Sequence, residues 1–127
     1  MENDGGRFTV RSKVWIEDEA GKVVFGLGRY RILRTVERTG SLLAAAKELR
    51  MSYRAIWCRI RSSEERLDRT LVTREGKGSR LTGFARTLLV QFDELQARVS
   101  TEADEVFGRT LADSLARPAG PAGESDR

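Results

Sequence analysis

The chain has no histidine, one cysteine and two prolines, and each scarcity removes chemistry. Without histidine, Ser-His and Cys-His nucleophile pairs are impossible. A tetrahedral zinc site would need mostly carboxylate ligands, which is uncommon, so no metal and no other cofactor is expected. A single cysteine cannot close an intramolecular disulfide, in keeping with a cytoplasmic setting. No apolar run approaches the roughly 20 residues of a membrane span, and "MENDGGRFTV" lacks the basic-then-apolar layout of a secretory signal. The expected location is therefore the cytoplasm, with no membrane partner. The phosphate loop G-x-x-x-x-G-K-[ST] is absent, and "GKVVFGLG" is not G-x-G-x-x-G. A carboxylate-only enzyme is the one catalytic option left, and binding is the better starting point.

The length of 127 residues suits one modest core. Charge is spread unevenly along it. Residues 1–49 balance at +2, whereas residues 50–86 hold ten basic and four acidic groups and residues 87–127 four basic and eight acidic. A basic middle with an acidic end fits a nucleic-acid surface followed by a part that does not touch it. A solvated charged face is the plainer alternative.

"VRSKVWIE" (10–17), the turn residues "DEAG" and "KVVF" read as an antiparallel hairpin. From "GLG" onward the period changes to helical. Ile32, Leu33 and Val36 share a face in "RYRILRTVERTG", and Gly40 ends the helix. Ser41 caps "LLAAAKEL", whose stripe is Leu42, Ala45, Ala46 and Leu49. A third helix starts at Ser52 so soon afterwards that the two must cross steeply, as in a helix-turn-helix. A helical hairpin with no DNA role is the alternative at this point.

In "MSYRAIWCRIRSSEERL", Ile56, Ile60, Ser63 and Leu67 fall on one sector, the core side. Arg54, Cys58, Arg61 and Glu65 fall opposite, so burial of the isoleucines forces the two arginines outward. Their spacing suits major-groove base edges and flanking phosphates. Ser52 and Tyr53 stand at the helix N-terminus, where free N–H groups favour a phosphate. Trp57 has two readings, stacking on the nucleic acid or packing against the first helix, and packing is favoured because large aromatics usually bury most of their area. Cationic neighbours could make Cys58 redox-sensitive; its plainer reading is a tolerated small residue.

"TLVTREGKGSRLT" (70–82) reads as a second hairpin, with Gly76 and Gly78 allowing positive φ at a tip that carries Lys77, and Arg80 on the return. A basic hairpin directly after such a helix is the wing of a winged helix-turn-helix, placed along phosphates or in the adjacent minor groove. Further on, Leu88, Phe92, Leu95, Val99 and Val106 form a seam for a partner helix. Thr101 and Asp104 resemble a capping box, so a break near Ser100 is expected. The Pro/Gly-rich end reads as disordered.

The resulting fold class is mainly α with small β-hairpins (α+β): a winged helix-turn-helix with an N-terminal hairpin and a long C-terminal dimerisation helix. The expected divisions are a flexible N-terminus (1–9), a DNA-binding domain (10–82), a helical dimerisation segment (83–111) and a disordered tail (112–127).

Four motifs in order carry a resemblance. They are F-G-x-G-R at Phe25–Arg29, T-G-S-L at Thr39–Leu42, A-A-K-E-L at Ala45–Leu49 and M-S-Y-R-x-x-W at Met51–Trp57, followed by a wing ending in R-L-T. Over about residues 13–95 the chain resembles the N-terminal domain of ModE-type molybdate-responsive transcription regulators. LysR-type regulators share the G-S-L and wing patterns, but they begin directly with the first helix and lack the leading hairpin. The resemblance implies a winged-helix DNA-binding homodimer, with Ser52, Tyr53 and Arg54 opening the recognition helix. Complete ModE-type regulators carry C-terminal oxyanion-binding modules, whereas this sequence ends in a helix and a polar tail. Molybdate or tungstate binding by this chain is accordingly not expected.

The candidate DNA-binding set is thus Ser41, Ser52, Tyr53, Arg54, Trp57, Cys58, Arg61, Lys77 and Arg80. The expected function is a sequence-specific transcription regulator, a homodimer on a two-fold site of double-stranded DNA, with helix 52–67 in the major groove and wing 71–82 beside it. The alternatives are a winged-helix adaptor that binds proteins, favoured by the apolar seam, and a LysR-like regulator fragment without direct oxyanion sensing.

Overall fold

Strand pairing begins later than the β-branched run suggests. The structure, a computed structural model, describes residues 7–116, and only Ile16–Glu17 of the 10–17 stretch forms a strand, β1. It pairs antiparallel with β2 (Val23–Phe25) through Ile16↔Phe25 and Glu17↔Val23, with an irregularity between the two pairs. The three-residue partner and this bulge end the ladder, so Val10–Trp15 has no strand to pair with. The Asp18 carboxylate accepts the N–H groups of Ala20 and Lys22, both at 2.9 Å, and closes the turn.

Helix α1 (Leu27–Thr39) ends at Gly40, whose φ of 73° is the left-handed conformation that favours glycine. The Ser41 hydroxyl then accepts from Ala44 N at 3.0 Å and opens α2 (Leu42–Leu49). Arg50 leaves α2 with a φ of 58°, and Ser52 accepts from Ala55 N to open α3 (Tyr53–Leu67). A link of three residues joins the two helices, the tight turn that the sequence pattern predicts. Next come β3 (Val72–Glu75) and β4 (Gly78–Leu81), paired from Val72↔Leu81 to Glu75↔Gly78. Helix α4 (Gly83–Arg109) and short α5 (Leu111–Ala116) follow. Two small hairpins on a helical frame match winged helix-turn-helix domains.

The described residues divide into two units, Lys13–Leu95 and residues 7–12 with 96–116. In the first, the core joins Phe25, Ile32, Leu33, Val36, Ala45, Ile56, Leu71 and Leu89, all buried. Ala45 and Ala46 are small enough for α1 and α3 to approach α2 closely. Ser63 is fully buried on α3 and donates to the Val24 carbonyl at 2.7 Å. In the second unit, Gln96 Nε2 donates to Ser100 Oγ at 3.0 Å, and the Ser12 and Ser100 hydroxyls share a 3.0 Å hydrogen bond.

The structure corrects the reading of the C-terminal region in three places. Helix α4 does not break near Ser100, because residues 84–107 contain no glycine or proline and an uninterrupted helix leaves Thr101 no orphan N–H to cap. Phe92 is not a seam residue: it is buried, with its ring edge-on to Phe25 at 5.1 Å. Leu88 likewise packs against the core, leaving Leu95, Val99 and Val106 exposed. The expected disordered tail begins too early, since residues 112–116 are helical and Ala112 is buried; its remainder, 117–127, lies outside the described residues, as do residues 1–6 of the expected flexible N-terminus.

Candidate nucleic-acid interface

Burial of Ile56 and Ile60 dictates which side of α3 faces out. Tyr53, Arg54, Trp57, Cys58 and Arg61 are all exposed there. The wing stands beside this face and bounds a groove of about 320 Å³, lined by Ser41, Leu42 and Leu43 of the α2 start, Tyr53 and Trp57 of α3, and Val72–Arg74 with Lys77–Ser79 of the wing. The helix-turn-helix thus brings seven of the nine candidate residues onto α3 or into this groove. They are Ser41, Tyr53, Arg54, Trp57, Cys58, Arg61 and Lys77. Ser52 is exposed beside them at the N-cap of α3, its hydroxyl used by the helix itself.

The wing is seated by an unusually close backbone contact. Ser79 N donates to the Gly40 carbonyl at 2.9 Å, and a Cβ at Gly78 would lie 2.4 Å from that same oxygen. Gly78 therefore serves close approach and not the positive φ expected of it; only Gly76, at φ 60°, takes that conformation at the tip. Leu71, just ahead of β3, is buried, and Lys77 at the tip is exposed.

Two of the expected DNA-facing cations have partners within the fold. Arg80 pairs with Glu75 at 3.1 Å across the hairpin, because the register, with Arg80 opposite Thr73 and Glu75 opposite Gly78, makes the two diagonal neighbours on one face. Arg61 meets Glu64 at 3.5 Å and lies 5.4 Å from the Trp57 ring centroid. Arg54 takes part in no ion pair among the described residues. Trp57 corrects the packing expectation. It is 46% exposed, since Ile56 and Ile60 already occupy the side of α3 that meets the core.

Several residues of the site went unread in the sequence. Glu64 is a wing anchor: its Oε2 accepts Leu71 N at 2.8 Å and Val72 N at 3.2 Å. Its partners lie across a turn that periodicity does not describe, so no local pattern signals the contact. Leu43 and Arg74 line the groove, visible only once the wing is docked. Arg29, the last residue of F-G-x-G-R, donates to Ser62 at 3.0 Å, and its pKa is lowered by burial and by the charges of Arg66 and Arg59. Among the described residues no group of three or more His, Cys, Asp or Glu could hold a metal ion, and no helix is long and apolar enough to cross a membrane.

Residues 27–86 match the family described as bacterial regulatory helix-turn-helix protein, lysR family. That stretch is similar to a LysR-type helix-turn-helix domain. The molybdenum transport protein ModE of Azotobacter vinelandii is 30% identical over 86 residues, covering 64% of this chain and 32% of that protein. The chain thus spans about a third of the relative's length. The crystal structure of the CbnR DBD–DNA complex is similar at 25% identity and a TM-score of 0.50, over 68% of this chain and 95% of that one. The BenM DBD/catB site 1 DNA complex shares the fold, with 17% identity and a TM-score of 0.52 over 73% of this chain and 97% of that one. The matched stretch is thus the helix-turn-helix and wing just described, and the likeness to ModE is the one that the four motifs point to.

Proposed function

We propose that the chain is a sequence-specific DNA-binding transcription regulator that acts in the cytoplasm as a homodimer on a two-fold site. Helix α3 enters the major groove, and the wing lies on the adjacent backbone or minor groove. The observation that carries this reading is Arg54, exposed on the first turn of α3 and in no ion pair among the described residues, beside a groove whose other wall is the wing. Likeness to a domain solved on DNA supports it. Two-fold operators place half-sites about 34 Å apart or at multiples of that distance. The recognition set is Ser52, Tyr53, Arg54, Trp57, Cys58 and Arg61, joined by Ser41 and Lys77; Arg80 contributes once it leaves Glu75.

Selection of duplexes from a random pool by the purified chain tests the reading. A two-fold consensus is expected. Arg54→Ala should weaken binding to that consensus by about 1–3 kcal/mol and relax one base preference. Lys77→Ala should weaken all duplexes alike and flatten the salt dependence. Unchanged affinity and preference in Arg54→Ala would show that α3 does not read the DNA.

A further inference from the structure

Glu64 is the one acid on α3 that engages both the groove-facing side of the helix and the wing. Its side chain is only 11% exposed. Oε2 accepts the backbone N–H groups of Leu71 and Val72, where the chain enters the wing, and Oε1 faces Arg61 Nη1 at 3.5 Å. The Arg61 guanidinium also lies 5.4 Å from the centroid of the Trp57 ring. Arg61 is therefore held along the helix, between a residue one turn before it and a residue one turn after it. Arg54 shares the same outward sector and pairs with no carboxylate among the described residues. The sequence presents two equivalent arginines, and the fold makes them unequal.

The two oxygens of Glu64 hold different things. The bonds to the wing end on backbone N–H groups and do not depend on Arg61. The contact to Arg61 is long and half-exposed, the kind of ion pair that contributes little and that a well-placed phosphate or base edge displaces. We propose that Glu64 is a specificity-determining positioning residue: it keeps Arg61 off the phosphates of unrelated DNA and releases it only where Arg54 and the wing have already docked. An unfavourable element against the wrong partner is a general route to discrimination. The inference rests on the DNA-binding reading above.

The test uses the full chain, a random-sequence duplex and a salt series. Glu64→Gln keeps a carbonyl oxygen for the Leu71 and Val72 N–H groups and removes the charge that holds Arg61. Thermal melting checks that the variant folds. The expected result is severalfold tighter binding to the random duplex, with a log Kd against log salt slope steeper by ~0.9, one more phosphate engaged. Arg61→Gln should lower the slope by ~0.9 on the selected two-fold site, where the arginine is released, and by less on the random duplex; added to Glu64→Gln, it should remove the gain seen on the random duplex. A folded Glu64→Gln protein with the parent slope overturns the proposal, as does an Arg61→Gln protein whose slope falls no more on the two-fold site than on the random duplex. If Glu64→Gln fails to fold, that comparison of duplexes decides alone, since Arg61→Gln breaks no bond to the wing. A parent chain that binds no duplex in a salt-dependent way sinks the DNA-binding reading and this inference with it; a parent that binds, beside variants with the wrong slopes, sinks this inference only.

Discussion

Ser63 shows how one polar atom ties the recognition helix to the rest of the domain. Its hydroxyl is fully buried, opposite the exposed arginines, and donates to Val24 O at 2.7 Å. Ser63→Ala removes that donor and leaves the facing carbonyl short of a partner in a dry place, which costs about 1–3 kcal/mol. Chemical denaturation should show a lower midpoint with an unchanged slope, whereas an unchanged midpoint would mean that the bond contributes nothing. The sequence placed Ser63 correctly on the inner sector, because a period of 3.6 is enough for that. It did not show what Ser63 bonds to, since Val24 lies 39 residues earlier. The same holds for Trp57. Its angular position at the flank of α3 was readable, but its exposure depends on what the other helices leave uncovered.

The wing and its seat are the informative elements. Gly78 permits the wing to lie against the corner between α1 and α2, and a methyl there would press on the Gly40 carbonyl. Gly78→Ala should therefore cost about 1–3 kcal/mol of stability and speed hydrogen exchange at the Ser79 amide; normal protection at that amide would mean that the wing seats without the contact. A second joint links α1 to α4. Tyr30 donates to Asp93 at 2.6 Å and Arg34 donates to it at 3.0 Å; the Tyr30 bond first, and then Arg34, hold the Asp93 carboxyl below its usual value against an opposing effect of burial. A carboxyl whose pKa falls on folding stabilises the fold above its unfolded value, and the contribution fades as pH drops through the folded value. Asp93 is half-exposed, so the contribution is under about 1 kcal/mol. Asp93→Asn should thus melt slightly lower at neutral pH, with the gap to the parent closing below about pH 4. A gap that persists in acid would point to lost packing instead of lost charge.

At the scale of the whole molecule, Leu95, Val99 and Val106 remain exposed on α4. Dimerisation through them predicts that Val99→Asp shifts sedimentation from dimer to monomer and lowers affinity for a two-fold site far more than for a half-site. A variant that still sediments as a dimer would move the interface elsewhere. Element order, the sharp helix-turn-helix corner and the inner and outer sectors of α3 were determined by the sequence alone. They follow from period, caps and turn residues, which act over a few neighbours. Tertiary structure alone decided that Phe92 belongs to the core and that Glu64 meets both the wing and Arg61. Those outcomes depend on which surfaces meet after the chain has turned back on itself, and no local pattern of residues carries that information.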